Sequence, residues 1–265
     1  MKLTFYKYQG TGNDFIMLDN RSKALEDILS QEKIAFLCDR RFGIGADGLI
    51  LLSDSVSEDF RMMYYNADGN ESTMCGNGGR CLVAFAHELG IKKDKLSFDA
   101  IDGLHYAWVQ HGMVRLQMVQ AKNYRQKNEA IHWVDTGSPH LVLMEEREIK
   151  SIDVEVEGAK HRWSKEFEEI GGTNVNFVNV ESGNRLNVRT FERGVEGETL
   201  SCGTGVTAAA YAYLKKEDKS GKVAIRTLGG DLSVEIESIG EEDEQVFLEG
   251  PAKKVFEGTI ELTES

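Results

Sequence analysis

An internal repeat constrains the fold of this chain more than any other feature of its sequence. Three segment pairs recur in the same order, at an almost constant offset of about 126 residues. The pairs are TGNDFIML (11–18) with TGSPHLVL (136–143), ESTMCGNG (71–78) with ETLSCGTG (198–205), and KLSFDAIDGLHYAWV (95–109) with KVAIRTLGGDLSVEI (222–236). Two long repeats predict two similar domains, whereas a solenoid would show many short ones.

The chain has 265 residues, which is long enough for two domains of ordinary size. We place the join in the polar stretch AKNYRQKNEA (121–130), so the predicted domains are 1–122 and 123–265. The last strand could return to the first domain.

The sequence pattern of each half predicts mostly β-strands. An opening strand (KLTFYKYQG or IHWVDTG) leads into a Thr-Gly turn, and a second apolar strand (FIMLDN or HLVLME) follows it. Further strands, a Cys-Gly turn, one helix and closing strands complete the half. This order predicts an α+β fold rather than a doubly wound βαβ sheet.

The helix after each Cys-Gly turn has small or apolar residues on nearly all of its faces. The two segments are GGRCLVAFAHELG (78–90) and GVTAAAYAYLKK (205–216). A helix without a polar face must be enclosed, so we expect each half to be a mostly antiparallel sheet wrapped around a central buried helix.

The Cys-Gly-x-Gly turns that contain Cys75 and Cys202 place a sulfur where each helix begins. The first N–H groups of a helix have no partner inside the helix, and its dipole is positive at this end. Such a site binds carboxylates and favours thiolate over thiol. We therefore expect a cleft between the domains with one sulfur on each side of it. One sulfur could remove a proton from a substrate carbon and the other could return one, which inverts the centre.

Composition excludes several other classes. The formal charge of −13 argues against a nucleic-acid partner, since nucleic acids are bound through Lys and Arg. No apolar run is long enough to span a membrane, and the N-terminus lacks a signal sequence, so we expect a cytoplasmic protein. Cysteine spacing makes a disulfide framework or a zinc site a weak interpretation. Cys38 and Cys81 are interpreted as small core residues.

The motifs resemble those of the diaminopimelate epimerase family over essentially the whole chain. The blocks that carry the resemblance are GTGNDFIMLDN, RRFGIGADG, NADGNESTMCGNGGRC, GSPHLV, GGTNVNF and ERGVEGETLSCGTG, in that order. The resemblance implies two similar domains with the active site between them, and a homodimer. It also implies an isomerase that interconverts LL- and meso-2,6-diaminopimelate in lysine and peptidoglycan precursor biosynthesis, with no pyridoxal phosphate, other cofactor or metal.

The resemblance also implies roles for individual residues. Cys75 and Cys202 would be the acid–base pair, with Cys202 accepting a proton from the LL isomer and Cys75 donating one. Backbone N–H groups would hold the reacting carboxylate, and the remaining residues would hold the other substrate groups. The N–H groups are those of Gly76, Asn77, Gly203 and Thr204; the others are Asn13 near the reacting end, Asn66, Asn174 and Arg193 at the distal carboxylate, Glu192 at amino groups and His140 in support.

Simpler structural roles are open for several of these residues. Asn13 and Asn66 could merely shape turns, Glu192 and Arg193 could form a surface ion pair, and His140 could be a packed structural residue. The chain also departs from the family pattern in three ways: Gly48 stands where Gln is common, Ser138 stands where Asn is usual, and the block before Cys202 is one residue longer.

Other functions compete with the epimerase. Proline racemase and hydroxyproline epimerase resemble this chain in carrying two thiols, but typically have His at the position of Asn77. The phenazine-synthesis isomerases look similar in fold but lack the cysteine pair. A cysteine hydrolase would need a His base beside one sulfur and leaves the second Cys-Gly turn unexplained. A non-catalytic amino-acid binding protein would use the thiols only for packing.

Overall fold

The structure is a computed structural model that describes residues 1–181, 184–239 and 243–262. The chain divides into two compact units, Met1–Leu116 with Pro251–Ser265, and Gln117–Gly250. The second unit thus begins shortly before the polar stretch 121–130, and the C-terminal segment belongs to the first unit.

The first unit contains a mixed sheet and two helices. Its strands are β1 (Lys2–Gly10), β2 (Asn13–Asp19), β3 (Gly48–Ser53), β4 (Phe60–Asn66), β5 (Glu71–Ser72), β6 (Leu96–Ala100), β7 (Gly103–Gln110) and β8 (Met113–Met118), with the C-terminal strand Lys253–Glu261. Its helices are α1 (Gln31–Cys38) and α2 (Gly76–Glu88). Helix α2 ends where Gly90 adopts a left-handed conformation with φ 94°, as a helix-stopping glycine does.

The second unit has the same kinds of element. Its strands are β9 (Lys122–Gln126), β10 (Ile131–Asp135), β11 (Pro139–Met144), β12 (Asn174–Glu181), β13 (Arg185–Glu192), β14 (Gly197–Thr199), β15 (Gly221–Thr227), β16 (Gly230–Ile239) and β17 (Asp243–Pro251). The C-terminal strand of the first unit is therefore β18. The helices of the second unit are α3 (Val154–Arg162) and α4 (Gly203–Lys216), with short 3-10 turns at Ile149–Ser151 and Lys165–Ile170.

Strand pairing follows the same order in both units. In the first, β1–β2 is antiparallel, β2–β3 parallel, β3–β4 antiparallel and β4–β6 parallel. In the second, β10–β11, β11–β12, β12–β13 and β13–β15 have those same four orientations. The outer strand beside each opening strand is β18 in one unit and β9 in the other. The coarse prediction of two sheet-dominated α+β units with few helices is confirmed.

The parallel strand pairs form the most buried part of each sheet. All six residues of β3 are buried, because apolar side chains cover both faces of the strand. Leu49 and Leu51 pack in the cluster that includes Ile34 and Leu37 of α1. Ile50 lies on the other face, where its side chain approaches Gly78 of α2.

Helices α2 and α4 are buried over most of their length, as their composition predicts. Every residue from Gly76 to Val83 is buried in α2, and α4 is buried at nearly every position up to Leu214. Helix α2 contacts β1, β2, β3, β7 and β18, while α4 contacts β10, β11, β12, β13, β15 and β16. No helix in the described part of the chain has the length and apolar character needed to cross a membrane.

The expectation of one helix per half is wrong, because α1 and α3 each add a short second helix. Helix α3 begins after Asp153, whose side chain accepts a hydrogen bond from the Val156 N–H at 3.1 Å. The alternating sequence VEVE at its start is typical of a strand. Its aspartate cap and its packing in an apolar cluster with Phe191 favour the helix instead.

Candidate active site

The first Cys-Gly turn starts α2, as predicted. Cys75 is the N-cap residue with extended backbone angles (φ −93°, ψ 131°), and its carbonyl accepts the first helical hydrogen bond from the Gly79 N–H at 2.7 Å. The loop before it is fixed where the Met74 N–H donates to Asp102 Oδ1 at 3.2 Å. The half-buried Cys75 side chain therefore has a defined position at the positive end of a buried helix.

Asn13 contacts the first sulfur. Its Oδ1 lies 3.7 Å from Cys75 Sγ, which donates to it, and 3.4 Å from the Nδ2 group of Asn77. Its own Nδ2 group donates to Asp47 Oδ2 at 2.6 Å, which fixes the orientation of the amide. Asn13 therefore presents a hydrogen-bond acceptor to Cys75, and it does more than shape a turn.

A group of charged residues holds Asp47 and the start of β2 in place. Arg40 bridges Asp14 and Asp47 at 2.6 and 2.7 Å, and the buried Lys7 pairs with Asp14 at 2.6 Å. Burial alone would raise the pKa of Asp14, but hydrogen bonds from Arg40 and Lys7 hold it well below its ordinary value. The Asp14 carboxylate thus stays ionised at neutral pH and holds Arg40 beside Asp47, the residue that orients Asn13.

The second Cys-Gly turn starts α4 in the same way. Cys202 is the N-cap residue (φ −109°, ψ 115°), and its carbonyl accepts from the Val206 N–H at 2.9 Å. The turn is fixed from the side by Thr136, whose hydroxyl donates to the Thr204 carbonyl at 2.9 Å. Thr136 belongs to the repeated Thr-Gly turn, so this turn supports the start of the buried helix.

A chain of hydrogen bonds leads from the core of the second unit to Cys202. Asn176 Nδ2 donates to the Leu141 carbonyl at 3.0 Å and lies 3.1 Å from His140 Nδ1. Because Nδ1 accepts this bond, the proton of neutral His140 is on Nε2, which lies 3.0 Å from Thr204 Oγ1. The Thr204 hydroxyl can then donate to Cys202 Sγ, 3.4 Å away. Cys202 thus faces a hydroxyl that can donate to it, whereas Cys75 faces an amide oxygen that can only accept.

His140 supports this chain as a neutral residue. It is completely buried, and burial, aided by the charge of Arg193, lowers its pKa from 6.5 to about 3. The unfolded chain binds a proton at this position below pH 6.5, whereas the folded protein does not. The stability linked to His140 is therefore fully present above pH 6.5. It is lost as the pH falls towards 3, at about 1.4 kcal/mol of unfolding free energy per pH unit.

We predict that His140→Gln reduces the dependence of the unfolding free energy on pH below pH 6.5. Glutamine cannot take up a proton, so the linked loss of stability disappears from the variant. Urea unfolding of both proteins at pH 4.5, 5.5 and 6.5 measures the difference, and the slope of unfolding free energy against pH should fall by about 1 kcal/mol per unit. Parallel slopes in the two proteins would show that His140 titrates normally.

Two of the three predicted ligands of the distal carboxylate, Asn174 and Arg193, make contacts within the second unit. Asn174 Oδ1 accepts from the backbone N–H of Arg193 at 2.8 Å, while its Nδ2 donates to Ser138 Oγ and the Pro139 carbonyl, both at 2.9 Å. Ser138, which departs from the family pattern, thus orients Asn174. The Arg193 guanidinium donates to the Ile170 carbonyl at 3.2 Å.

Glu192 and Asn66 lie at the ends of corresponding strands. Glu192 closes β13 and accepts from Thr199 Oγ1 at 2.9 Å. Asn66 closes β4 with an exposed side chain, and its backbone carbonyl accepts from the Gly69 N–H in the hairpin turn. Asn66 pairs across the sheet with Gly48, where a Cβ atom would lie 2.6 Å from the Tyr64 ring. Tyr64 therefore fills the space beside Gly48 that a larger residue would require.

The structure thus assembles two groups of predicted residues. Asn13 contacts both Cys75 and Asn77 in the first unit, and Thr204 contacts both Cys202 and His140 in the second. Asn174 contacts Arg193, whereas no hydrogen bond joins the Asn66 side chain to these groups within the described residues. Sequence reasoning missed Asp47, Thr136 and Asn176, although all three stand inside or beside quoted motif blocks.

The other cysteines are buried, as predicted. Burial raises the pKa of the Cys38 and Cys81 thiols to about 12, so both stay protonated at neutral pH. Within the described ranges, no group of three His, Cys, Asp or Glu side chains is arranged to hold a metal ion.

A family model and full-length relatives of this chain carry the same name. The family model described as diaminopimelate epimerase matches residues 5–123 and 132–255. A diaminopimelate epimerase of Flavobacterium psychrophilum is 51% identical over 98% of this chain and 100% of its own length. The enzyme of the same name from Chlorobaculum tepidum is 43% identical over 96% of this chain and 99% of its own.

Solved structures with low sequence identity share the fold. A phenazine biosynthesis protein of the PhzF family from Bacillus anthracis has a TM-score of 0.77 at 14% identity, covering 99% of this chain and 100% of its own. A hydroxyproline epimerase from Agrobacterium vitis has a TM-score of 0.61 at 14% identity, covering 98% and 92%. The family-model match and the full-length relatives, in contrast, show that the chain belongs to the diaminopimelate epimerase family.

Proposed function

We propose that this protein interconverts LL- and meso-2,6-diaminopimelate for lysine and peptidoglycan precursor biosynthesis, without pyridoxal phosphate or metal. The observation that carries the proposal is the pair of cysteines at equivalent helix starts, one in each unit. Two relatives that are named diaminopimelate epimerase match nearly the whole chain. An enzyme that inverts a carbon centre needs a base on one face and an acid on the other, and two such thiols supply both.

The proposed reaction has two proton transfers. In the LL-to-meso direction the Cys202 thiolate removes the α-proton, and the Cys75 thiol donates a proton to the opposite face of the same carbon. Hydrogen-bond polarity supports this assignment, because the Thr204 hydroxyl can donate to Cys202 while Asn13 Oδ1 accepts from Cys75. The reaction leaves Cys202 protonated and Cys75 ionised, and exchange with solvent restores the starting state.

Backbone N–H groups would stabilise the negative charge that develops on the reacting carboxylate. The groups at Gly76, Asn77, Gly203 and Thr204 lie in the first turns of two buried helices, where N–H groups have no partner within the helix. Aligned N–H donors of this kind lower the free energy of an enolate-like transition state. No cofactor is then needed to delocalise the charge.

The second amino-acid end of the substrate needs its own partners. We assign the distal carboxylate to Asn66, Asn174 and Arg193, and the amino groups to Glu192. The planar guanidinium of Arg193 suits a carboxylate. Asn174 already uses its side chain to hold Ser138 and the backbone of Arg193, so its contribution includes positioning Arg193.

The proposed function also implies a specific arrangement of the sheets, the helices and the substrate site. We infer that the two halves arose by duplication, that each sheet wraps around its buried helix, and that the substrate binds in a cleft between the halves. The repeated strand order and the many strands in contact with α2 and α4 support this architecture. We further propose a cytoplasmic homodimer, which light scattering of the purified protein tests.

The geometry at Cys202 argues against a cysteine hydrolase. A hydrolase needs a histidine base in contact with the nucleophilic sulfur. His140 Nε2 contacts Thr204 rather than Cys202, and burial keeps its pKa near 3, so it is a poor proton acceptor. The second Cys-Gly turn also has no role in that mechanism.

A substrate comparison tests the proposed function. The purified protein is incubated separately with LL-diaminopimelate and with L-proline, and chiral chromatography follows the stereoisomers. We expect meso-diaminopimelate from the first substrate, approaching a stable ratio, and unchanged L-proline from the second. Formation of D-proline with no meso-diaminopimelate would favour the racemase, and no reaction with either would favour a binding protein.

A further inference from the structure

Arg80 is a buried cation that the proposed mechanism does not use. It lies one turn into α2, and its side chain is fully buried. Its terminal nitrogens donate to the Gly76 carbonyl at 3.4 Å and to Thr11 Oγ1 at 3.2 Å, while Nε has no hydrogen-bond partner in the part of the chain that the structure describes. Among the residues described, no carboxylate lies within ion-pair distance of this guanidinium.

This position is costly for a positive charge. A buried ion is stable only when an opposite charge or several strong hydrogen bonds compensate for lost hydration. Both bonds of Arg80 go to neutral oxygens, and the nearby start of α2 adds a second positive field. An anion beside the start of this helix would compensate for the buried guanidinium charge and would also offset the positive field of the helix start.

Two thiols are close neighbours of Arg80, and one of them can supply that anion. Cys81 follows Arg80 in α2, and Cys75 directly precedes Gly76, whose carbonyl accepts a hydrogen bond from the Arg80 guanidinium. Cys81 is completely buried, and burial raises its pKa to about 12, so it stays neutral. Cys75 is half-buried and becomes an anion whenever it has given its proton to a substrate.

The corresponding position in the second unit carries no charge. Thr207 occupies it, fully buried, with its hydroxyl donating to the Gly203 carbonyl at 2.9 Å. Arg80 makes the equivalent bond to the Gly76 carbonyl through its guanidinium. The two halves thus share a backbone arrangement and one hydrogen bond, but only the first unit places a cation there.

We propose that Arg80 is a positioning residue that provides the buried counter-charge of the Cys75 thiolate. Asn13 Oδ1 favours the thiol by accepting a hydrogen bond from it, and Arg80 favours the thiolate that remains after proton transfer to the substrate. The two opposing influences keep Cys75 able to act as acid in one direction and as base in the other. This inference rests on the proposed function, in which Cys75 must alternate between the two forms.

Alkylation of the cysteines tests the inference without any need for turnover. Iodoacetamide reacts with thiolate, so the pH at which alkylation reaches half its maximal rate reports the pKa of each sulfur. Mass spectrometry of the digested protein follows Cys75 and Cys202 separately. In Arg80→Gln we expect the Cys75 midpoint to rise by about one pH unit or more, since a nearby cation lowers a pKa by about 1–3 units.

Matched variants separate charge from structure. Arg80→Lys retains the cation and should return the Cys75 midpoint most of the way to that of the unaltered protein. Thr207→Val changes the equivalent buried position without altering charge, so both midpoints should stay in place. Arg80→Met gives a second neutral variant if Arg80→Gln does not fold, and an unchanged Cys202 midpoint shows that the chain is folded.

The outcomes distinguish this inference from the proposed function. A Cys75 midpoint that stays unchanged in a folded neutral variant overturns the role of Arg80, even if KM for diaminopimelate rises, because the cation would then serve a bound carboxylate. The proposed function fails instead if the unaltered protein does not epimerise diaminopimelate. An upward shift of Cys75 alone, reversed by lysine, supports the counter-charge.

Discussion

Replacing either Cys75 or Cys202 by alanine is expected to lower kcat/KM for diaminopimelate epimerisation by about 10³-fold or more. General acid–base groups typically contribute about 10²–10⁴-fold to a rate, and each variant loses one of the two groups that inversion requires. Each thiol lies at the start of a buried helix, where water is a poor substitute. Chiral chromatography of the products in both directions gives the measurement.

Cys38→Ala is the matched control for these variants. Cys38 is a buried thiol at the end of α1, in an apolar cluster on the far side of β3 from Gly78, and it stays protonated because burial raises its pKa to about 12. Its removal should lower stability slightly and leave kcat/KM within about twofold. Retained turnover in either Cys75→Ala or Cys202→Ala would contradict a mechanism with two bases.

Gly205→Ala is expected to lower epimerase activity by about 10²-fold and stability by about 1–3 kcal/mol. A Cβ atom at this position would lie 2.4 Å from Asn176 Oδ1 and 3.3 Å from Cys202 Sγ. Asn176 cannot easily move, because its side chain is fully buried and holds Thr190, Leu141 and His140. The clash must therefore displace the start of α4 or break the hydrogen-bond chain to Cys202.

Gly78→Ala is the equivalent change in the first unit and serves as the comparison. Its Cβ atom would lie 3.0 Å from the terminal methyl group of Ile50, which can rotate away, and 3.4 Å from the Phe15 ring. Alanine is also the better helix former, by about 1 kcal/mol. Activity and urea unfolding are measured for both variants. Equal losses in the two would show that tight packing against Asn176 is not the cause.

The sequence predicted the features that depend on local pattern. The strand Lys2–Gly10, the Thr-Gly turns and the two buried helices follow from alternation, glycine and small-residue composition, and the structure confirms them. The repeat located Cys75 and Cys202 at equivalent helix starts. These features could be predicted because short-range preferences and burial favour the same structure.

The features that the sequence did not reveal depend on contacts between distant segments. Asp47 orients Asn13 from 34 positions away, and Asn176 reaches His140 from 36 positions away. Neither pairing has a local signal, because parallel pairing of β2 with β3 and of β11 with β12 creates the proximity. The sequence also does not reveal that Arg80, a charged residue in a helix of mostly small and apolar residues, is itself fully buried.

Deuterium transfer from solvent tests the central claim most directly. The protein is mixed with LL-diaminopimelate in D₂O, the reaction is stopped at a few per cent conversion, and mass spectrometry measures deuterium in product and in recovered substrate. Because separate sulfurs remove and deliver the proton, we predict one deuterium per molecule of meso product and almost none in recovered LL substrate. Comparable deuterium in both would mean that one group serves both faces of the carbon, which would contradict the pairing of Cys75 with Cys202.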